Sequence, residues 1–180
     1  MEDTKDYEIK MDGEFHQFEG GGIRYTKTGK GRFDLIPYEV IAEIFKYVWT
    51  NDLHVNDYKS VALASAYKGD YITSIISIVN EKYTKDSIMD KTEIIIHQSD
   101  FLIGFTKMLR ELAVHYEKGA DKYGADNWKK GIPAQSFRDS GLRHLCQWIS
   151  GETDEPHHIA AIWNFFGAIY LETQTAVDEE

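Results

Sequence analysis

Apolar positions recur at helical spacing through most of the chain from residue 37 onward. Val40, Ile41, Ile44, Phe45, Val48 and Trp49 form one stripe. Pro37 opens that helix, with Asp34 upstream as its cap, and Asn51 and Asp52 close it. Residues 57–66 predict a short helix, followed by the turn signal Lys68-Gly69-Asp70. Ile72, Ile75, Ile76, Val79 and Tyr83 fit a further helix, although their β-branched content also fits a strand. Residues 84–98, with Glu93-Ile94-Ile95-Ile96, fit either state. The strongest stripe is Phe101, Leu102, Phe105, Met108, Leu109, Leu112, Ala113 and Tyr116, capped by Ser99 and stopped by Gly119 or Gly124. A loop over 120–135 follows. Ser136 then opens a helix with the apolar face Leu142, Leu145, Cys146 and Ile149, ended by Gly151. Asp154 or Glu155 caps the last helix, with Pro156 in its first turn. Ile159, Ile162, Trp163, Phe166, Ile169 and Tyr170 line it.

Residues 1–33 lack such a period. Gly20, Gly21, Gly22, Gly29 and Gly31 interrupt them, which predicts an extended arm with a short strand or two. No repeat and no linker appears. The expected fold is therefore a single all-α helical bundle over 1–180 with an irregular N-terminal arm.

Composition narrows the function. A net charge of −10 speaks against a nucleic-acid scaffold, which would carry a basic field. No apolar run approaches the ~20 residues of a membrane span, and the charged start MEDTKDYEIK does not resemble a signal peptide. With one cysteine, Cys146, no internal disulfide forms, and a reducing cytoplasm fits. Cys146 lies on an apolar stripe and is read as core rather than nucleophile. GxxxxGK[ST], GxGxxG after a strand, CxxC and HExxH are all missing.

The residues that a core does not need cluster between Glu111 and Asn164. Asp139 and Arg143 stand at i,i+4 beside His144. They make either a surface ion pair or a carboxylate and base with a phosphate clamp. The run Glu152, Asp154, Glu155, His157 and His158 falls between two helices, where side chains converge. Capping needs only one of its acids, and the set suits a divalent ion: magnesium, manganese or cobalt. His115, Glu117, Lys118, Lys122, Tyr123, Asn127, Trp128, Lys129 and Lys130 run through the end of one helix into a loop. That loop is either a solvated basic surface or a contact for phosphate and base, with Trp128 or Tyr123 stacking and Asn127 hydrogen bonding.

Four segments carry a family resemblance: Gly29–Pro37 (GKGRFDLIP), LAVHYEKGADKYGADNWKKGIP at 112–133, SGLRHL at 140–145 and DEPHHIAAIWN at 154–164. Together they resemble the phage-encoded dATP/dGTP diphosphohydrolases, relatives of the all-α MazG-like nucleotide pyrophosphohydrolases. The likeness covers two blocks, 20–45 and 108–170, leaving 46–105 as a helical insertion and 108–175 as the site-bearing helices. It implies a homodimer or homotetramer that hydrolyses dGTP or dATP to the monophosphate and pyrophosphate, in some phages feeding 2-aminoadenine DNA synthesis. The ExxE…ExxD magnesium motif of the MazG relatives is missing, so the ligands are assigned from local chemistry. Glu117, Asp154, Glu155 and His157 hold the metal, with Asp139 beside them. His144 or His158 moves the proton. Arg32, Lys118, Lys122 and Arg143 neutralise phosphate, and Tyr123, Asn127 and Trp128 hold the base. Glu39 and Glu43, i,i+4 on the first helix, form a reserve ligand pair. The competing readings are another metal-dependent phosphohydrolase and a non-catalytic nucleotide-binding or interaction module.

Overall fold

The computed structural model describes residues 15–17, 23–25, 29–50, 57–84 and 98–178. The chain divides into two compact units, Met1–Lys30 and Gly31–Glu180. In the first, β1 (Phe15–Gln17) and β2 (Ile23–Tyr25) pair antiparallel, with His16 opposite Arg24, as the glycine-broken arm suggested.

The second unit is an all-α bundle of six helices among the described residues: α1 (Tyr38–Thr50), α2 (Tyr58–Tyr67), α3 (Tyr71–Val79), α4 (Gln98–Tyr123), α5 (Ala134–Ser150) and α6 (His157–Asp178). The helical period reproduces their buried faces closely. Val40, Ile44 and Val48 of α1 and Phe101, Phe105, Met108, Leu112 and Ala113 of α4 are core. Trp49 and Leu102, at the edges of those stripes, are exposed instead. Ile72–Val79 settles as helix because the chain reverses at Gly69 (φ +83°) and Asp70 accepts the Thr73 N–H at 3.0 Å. A π-helical turn, Asn80–Thr84, continues from α3, and Thr84 Oγ1 bonds back to the Asn80 carbonyl at 2.8 Å. Ile75, Ile76 and Val79 are buried within the chain. Residues 51–56 and 85–97, including Glu93–Ile96, lie outside the described residues.

Several boundaries shift by local chemistry. Ser99 falls inside α4, which begins at Gln98. Gly124 (φ +87°), not Gly119, follows the last turn. Pro133, rather than Ser136, stands at the N-cap of α5. Pro156 precedes α6, where its carbonyl accepts the Ile159 N–H at 2.9 Å; the Asp154 carboxylate is instead 2.8 Å from His157 Nε2. Asp34 lies in a 3-10 turn, Phe33–Leu35, and takes the Arg32 guanidinium at 2.7 Å. Cys146 is exposed: the buried face of α5 runs through Phe137, Gly141, His144 and Leu145, about one position away from the predicted stripe.

Helix α6 is the axis of the bundle, packing on α5, α4, α3 and α1. Every residue from His157 to Ile169 except Trp163 is buried, so the helix is enclosed all round rather than on one stripe, with His157, His158 and Asn164 as its buried polar groups. Two glycines allow α5 to approach it closely. A Cβ on Gly141 would sit 2.5 Å from the Phe165 ring, and one on Gly167 would sit 2.6 Å from the Phe137 ring. Upstream, the Gly31 N–H donates to Glu117 Oε2 at 2.9 Å and the Arg32 N–H to the Ala113 carbonyl at 2.9 Å. This strap lays the 31–36 segment on α4 and carries Leu35 to the site.

Candidate active site

The α5–α6 turn and the α5 face beside it bring three ligand-type atoms together. His144 Nδ1 lies 3.1 Å from His157 Nδ1 and 3.1 Å from Glu155 Oε1. His157 Nδ1 lies 3.4 Å from the same Glu155 oxygen. His157 is 1% exposed, while the Glu155 side chain is 45% exposed, so the triangle has a buried back and an open front.

Hydrogen bonding defines the chemistry of this triangle. His157 Nε2 lies 2.8 Å from Asp154 Oδ1, which places the ring proton on Nε2 and leaves Nδ1 a lone pair. That contact also holds the Asp154 carboxyl below its ordinary pKa. A lone pair on His157 Nδ1 and a carboxylate oxygen do not bond one another. Either a proton on His144 Nδ1 bridges them, or a cation does. Burial, then the nearby Arg143 cation, lowers the His144 pKa and favours a neutral ring able to coordinate. Donors about 2.0–2.1 Å from one ion stand roughly 2.8–3.0 Å apart in octahedral and roughly 3.3–3.4 Å apart in tetrahedral geometry, a span of roughly 2.8–3.4 Å. The three observed separations fall in that range, so His144, Glu155 and His157 fit a divalent metal, with Asp154 as the outer carboxylate that orients a histidine ligand.

Beside the triangle opens a cleft of about 740 Å³. His144, Asp154 and Glu155 form one wall. Lys118, Lys122, Tyr123, Asn127 and Trp128 approach from α4 and the following loop, and Arg143 from α5. Residues far apart in sequence that were read as one site thus share one space. Among the described residues Lys118 and Arg143 form no ion pair, whereas Arg32, Lys46, Lys129 and Arg138 are each paired with a carboxylate.

Other expected residues sit elsewhere. Arg32 is paired with Asp34, and Glu117 serves the Gly31 strap; neither lines the cleft. Asp139 is exposed and accepts from Gln135 Nε2 at 2.7 Å, with no ion pair to Arg143. His158 meets other neighbours than His157: its Nε2 lies 3.2 Å from Glu111 Oε2, near the Tyr83 and Trp148 rings. Glu39 and Glu43 lie on α1, away from the cleft, and Glu43 is within 3.5 Å of Lys46. Conversely, His115, Trp163 and Asn164 line the cleft without having been assigned to it. The His115 and Trp163 rings lie 5.8 Å apart, and burial lowers the His115 pKa. Their signal was available: His115 precedes the basic loop on the same helix, and Trp163 and Asn164 end the motif that begins at Asp154.

Residues 85–180 match the family model described as dATP/dGTP diphosphohydrolase, N-terminal. The chain belongs to this family. No curated protein and no solved structure matches it. The matched segment contains the whole metal-type triangle and every cleft residue except Leu35. It begins within 46–105, and the 20–45 block falls outside it. No helix among the described residues is long and apolar enough to cross a membrane.

Proposed function

We propose that the chain is a metal-dependent diphosphohydrolase that converts dGTP or dATP to the monophosphate and pyrophosphate. The observation that carries this reading is the triangle of His144 Nδ1, His157 Nδ1 and Glu155 Oε1 facing a cleft rimmed by Lys118, Lys122 and Arg143. A divalent ion held there supplies Lewis acidity toward phosphate oxygens and water. Asp154 fixes the His157 tautomer so that the Nδ1 lone pair faces His144 and Glu155. Lys118, Lys122 and Arg143 neutralise the triphosphate as charge shifts to the leaving group. Tyr123, Trp128 and Asn127 provide two rings and an amide for the purine.

Water attacks a phosphorus of the α–β anhydride, a new P–O bond forms, and the bridging P–O bond breaks to release pyrophosphate. The proton from water passes to a ring nitrogen of His115, which burial keeps neutral. In this reading His144 is a ligand rather than the base, and Arg32, Glu117, Asp139 and His158 act outside the substrate cleft. The product dGMP is the feedstock that 2-aminoadenine DNA synthesis in a phage would require.

The test is incubation with each deoxynucleoside triphosphate and magnesium, manganese or cobalt, with products resolved by chromatography. Monophosphate and pyrophosphate are expected, abolished by a chelator and by Glu155→Gln. Diphosphate with phosphate, nucleoside with triphosphate, or no turnover with any metal would overturn the proposal.

A further inference from the structure

A second cavity of about 320 Å³ adjoins the cleft. The two share His115, Lys118 and Pro156 as a common wall, so they meet beside the acid–histidine triangle rather than at a distant surface. The second cavity adds Arg110 and Glu111 from α4 and Ile159 from α6. Arg110, Val114 and Lys118 succeed one another at i,i+4, which aligns two cations along one helical face. Among the described residues neither Arg110 nor Lys118 is ion-paired. Pro156, just before the 22-residue α6, and Ile159 in its first turn form the other wall, which brings the positive end of the α6 dipole to the same groove. The acid present, Glu111, has its Oε2 3.2 Å from His158 Nε2.

We infer that this groove is the seat of the diphosphate end of the substrate, and that it retains the pyrophosphate product. Arg110 is its binding residue and Lys118 the cation shared with the cleft. The inference rests on the diphosphohydrolase reading for its choice of ligand. The geometry supports a linear anion better than a single phosphate, because Arg110 and Lys118 lie two helical turns apart, ~12 Å along the axis before their long side chains converge. Guanidinium suits this task, since its fork engages two phosphate oxygens at once.

Titration calorimetry with inorganic pyrophosphate tests the site on the full chain, using Arg110→Gln and, as a control for net charge, Lys107→Gln. Lys107 is exposed on the same helix and does not line the groove. Arg110→Gln is expected to weaken pyrophosphate binding roughly tenfold. KM for the triphosphate and the pyrophosphate inhibition constant should rise by a similar factor, with the loss falling on these rather than on kcat. Lys107→Gln should match the parent protein. Unchanged pyrophosphate affinity in Arg110→Gln, with triphosphate hydrolysis intact, would overturn the groove assignment alone. Arg110-dependent pyrophosphate binding without hydrolysis of any triphosphate would sustain the groove and defeat the enzymatic reading.

Discussion

Replacing Gly141 by alanine sets two known effects against each other. Gly141 lies inside α5, so alanine should gain about 1 kcal/mol of helix propensity. The added Cβ, however, would fall 2.5 and 2.8 Å from two carbons of the Phe165 ring and 3.3 Å from Asn164 Cβ. Carbon atoms prefer ~3.5–4.0 Å, so about 1 Å must be recovered. Phe165 is fully buried and stacks on Tyr71 at 5.1 Å, which blocks its retreat. Relief must come from separating α5 and α6, and overpacking of this kind costs about 1–3 kcal/mol. The net expectation is a loss of up to about 2 kcal/mol. Gly119→Ala is the internal control: it is also inside a helix, and its Cβ would meet nothing within 4 Å, so it should stabilise by up to about 1 kcal/mol. Urea unfolding of both variants at constant m-value measures the difference. The melting temperatures should move in opposite directions, by roughly 2–4 °C per kcal/mol. His144 stands one turn beyond Gly141, so a separated α5 should also weaken metal binding. A Gly141→Ala protein at least as stable as its parent would refute the packing argument.

Three further outcomes follow from the same geometry. Asp154→Asn should lower metal affinity by about 10–100-fold in a competition titration while leaving the fold intact, and unchanged affinity would remove Asp154 from the site. Burial lowers the folded-state pKa of His115, His144 and His158 below 6.5. Below about pH 6.5 the unfolded chain therefore binds protons that the folded one refuses. Stability of the metal-free protein should fall on acidification, by at most about 1.4 kcal/mol per pH unit for each histidine, in urea melts compared at about pH 7.5 and 5.5; a flat profile would contradict it. Gly31→Ala combines a φ of +85° with a Cβ 2.7 Å from that of Ala113. It should cost at least about 2 kcal/mol, and retained stability would mean that the strap contributes nothing.

Periodicity located the helices well because burial here follows one face at a time. It failed where burial does not. Helix α6 is enclosed on all sides, so its stripe concealed that His157 and His158 point to different neighbours. On α5 the glycine at 141 rotates the buried face toward α6, which exposes Cys146 and buries His144. The composition of 111–164 pointed to the candidate site region, since acids, imidazoles and cations were present beyond what caps and a core require. Individual roles were less legible. Arg32, Glu117 and Asp139 were drawn in by residue type, yet each contacts Asp34, Gly31 or Gln135 outside the cleft lining. His115 was passed over because a lone helical histidine carries no pattern until Trp163 and the cleft are placed beside it.

The two ties that shape the cleft differ greatly in chain span. His144 meets His157 across 13 residues of sequence, whereas Gly31 meets Glu117 across 86. Closing the longer loop costs about 1.7 kcal/mol more conformational entropy, from (3/2)RT ln n. The strap, held by two backbone N–H donors, bears that larger cost, while the acid–histidine triangle is closed by a short turn between two tightly packed helices. Release of the Gly31 and Arg32 donors would remove the wall contributed by Leu35 and leave the ligand atoms assembled.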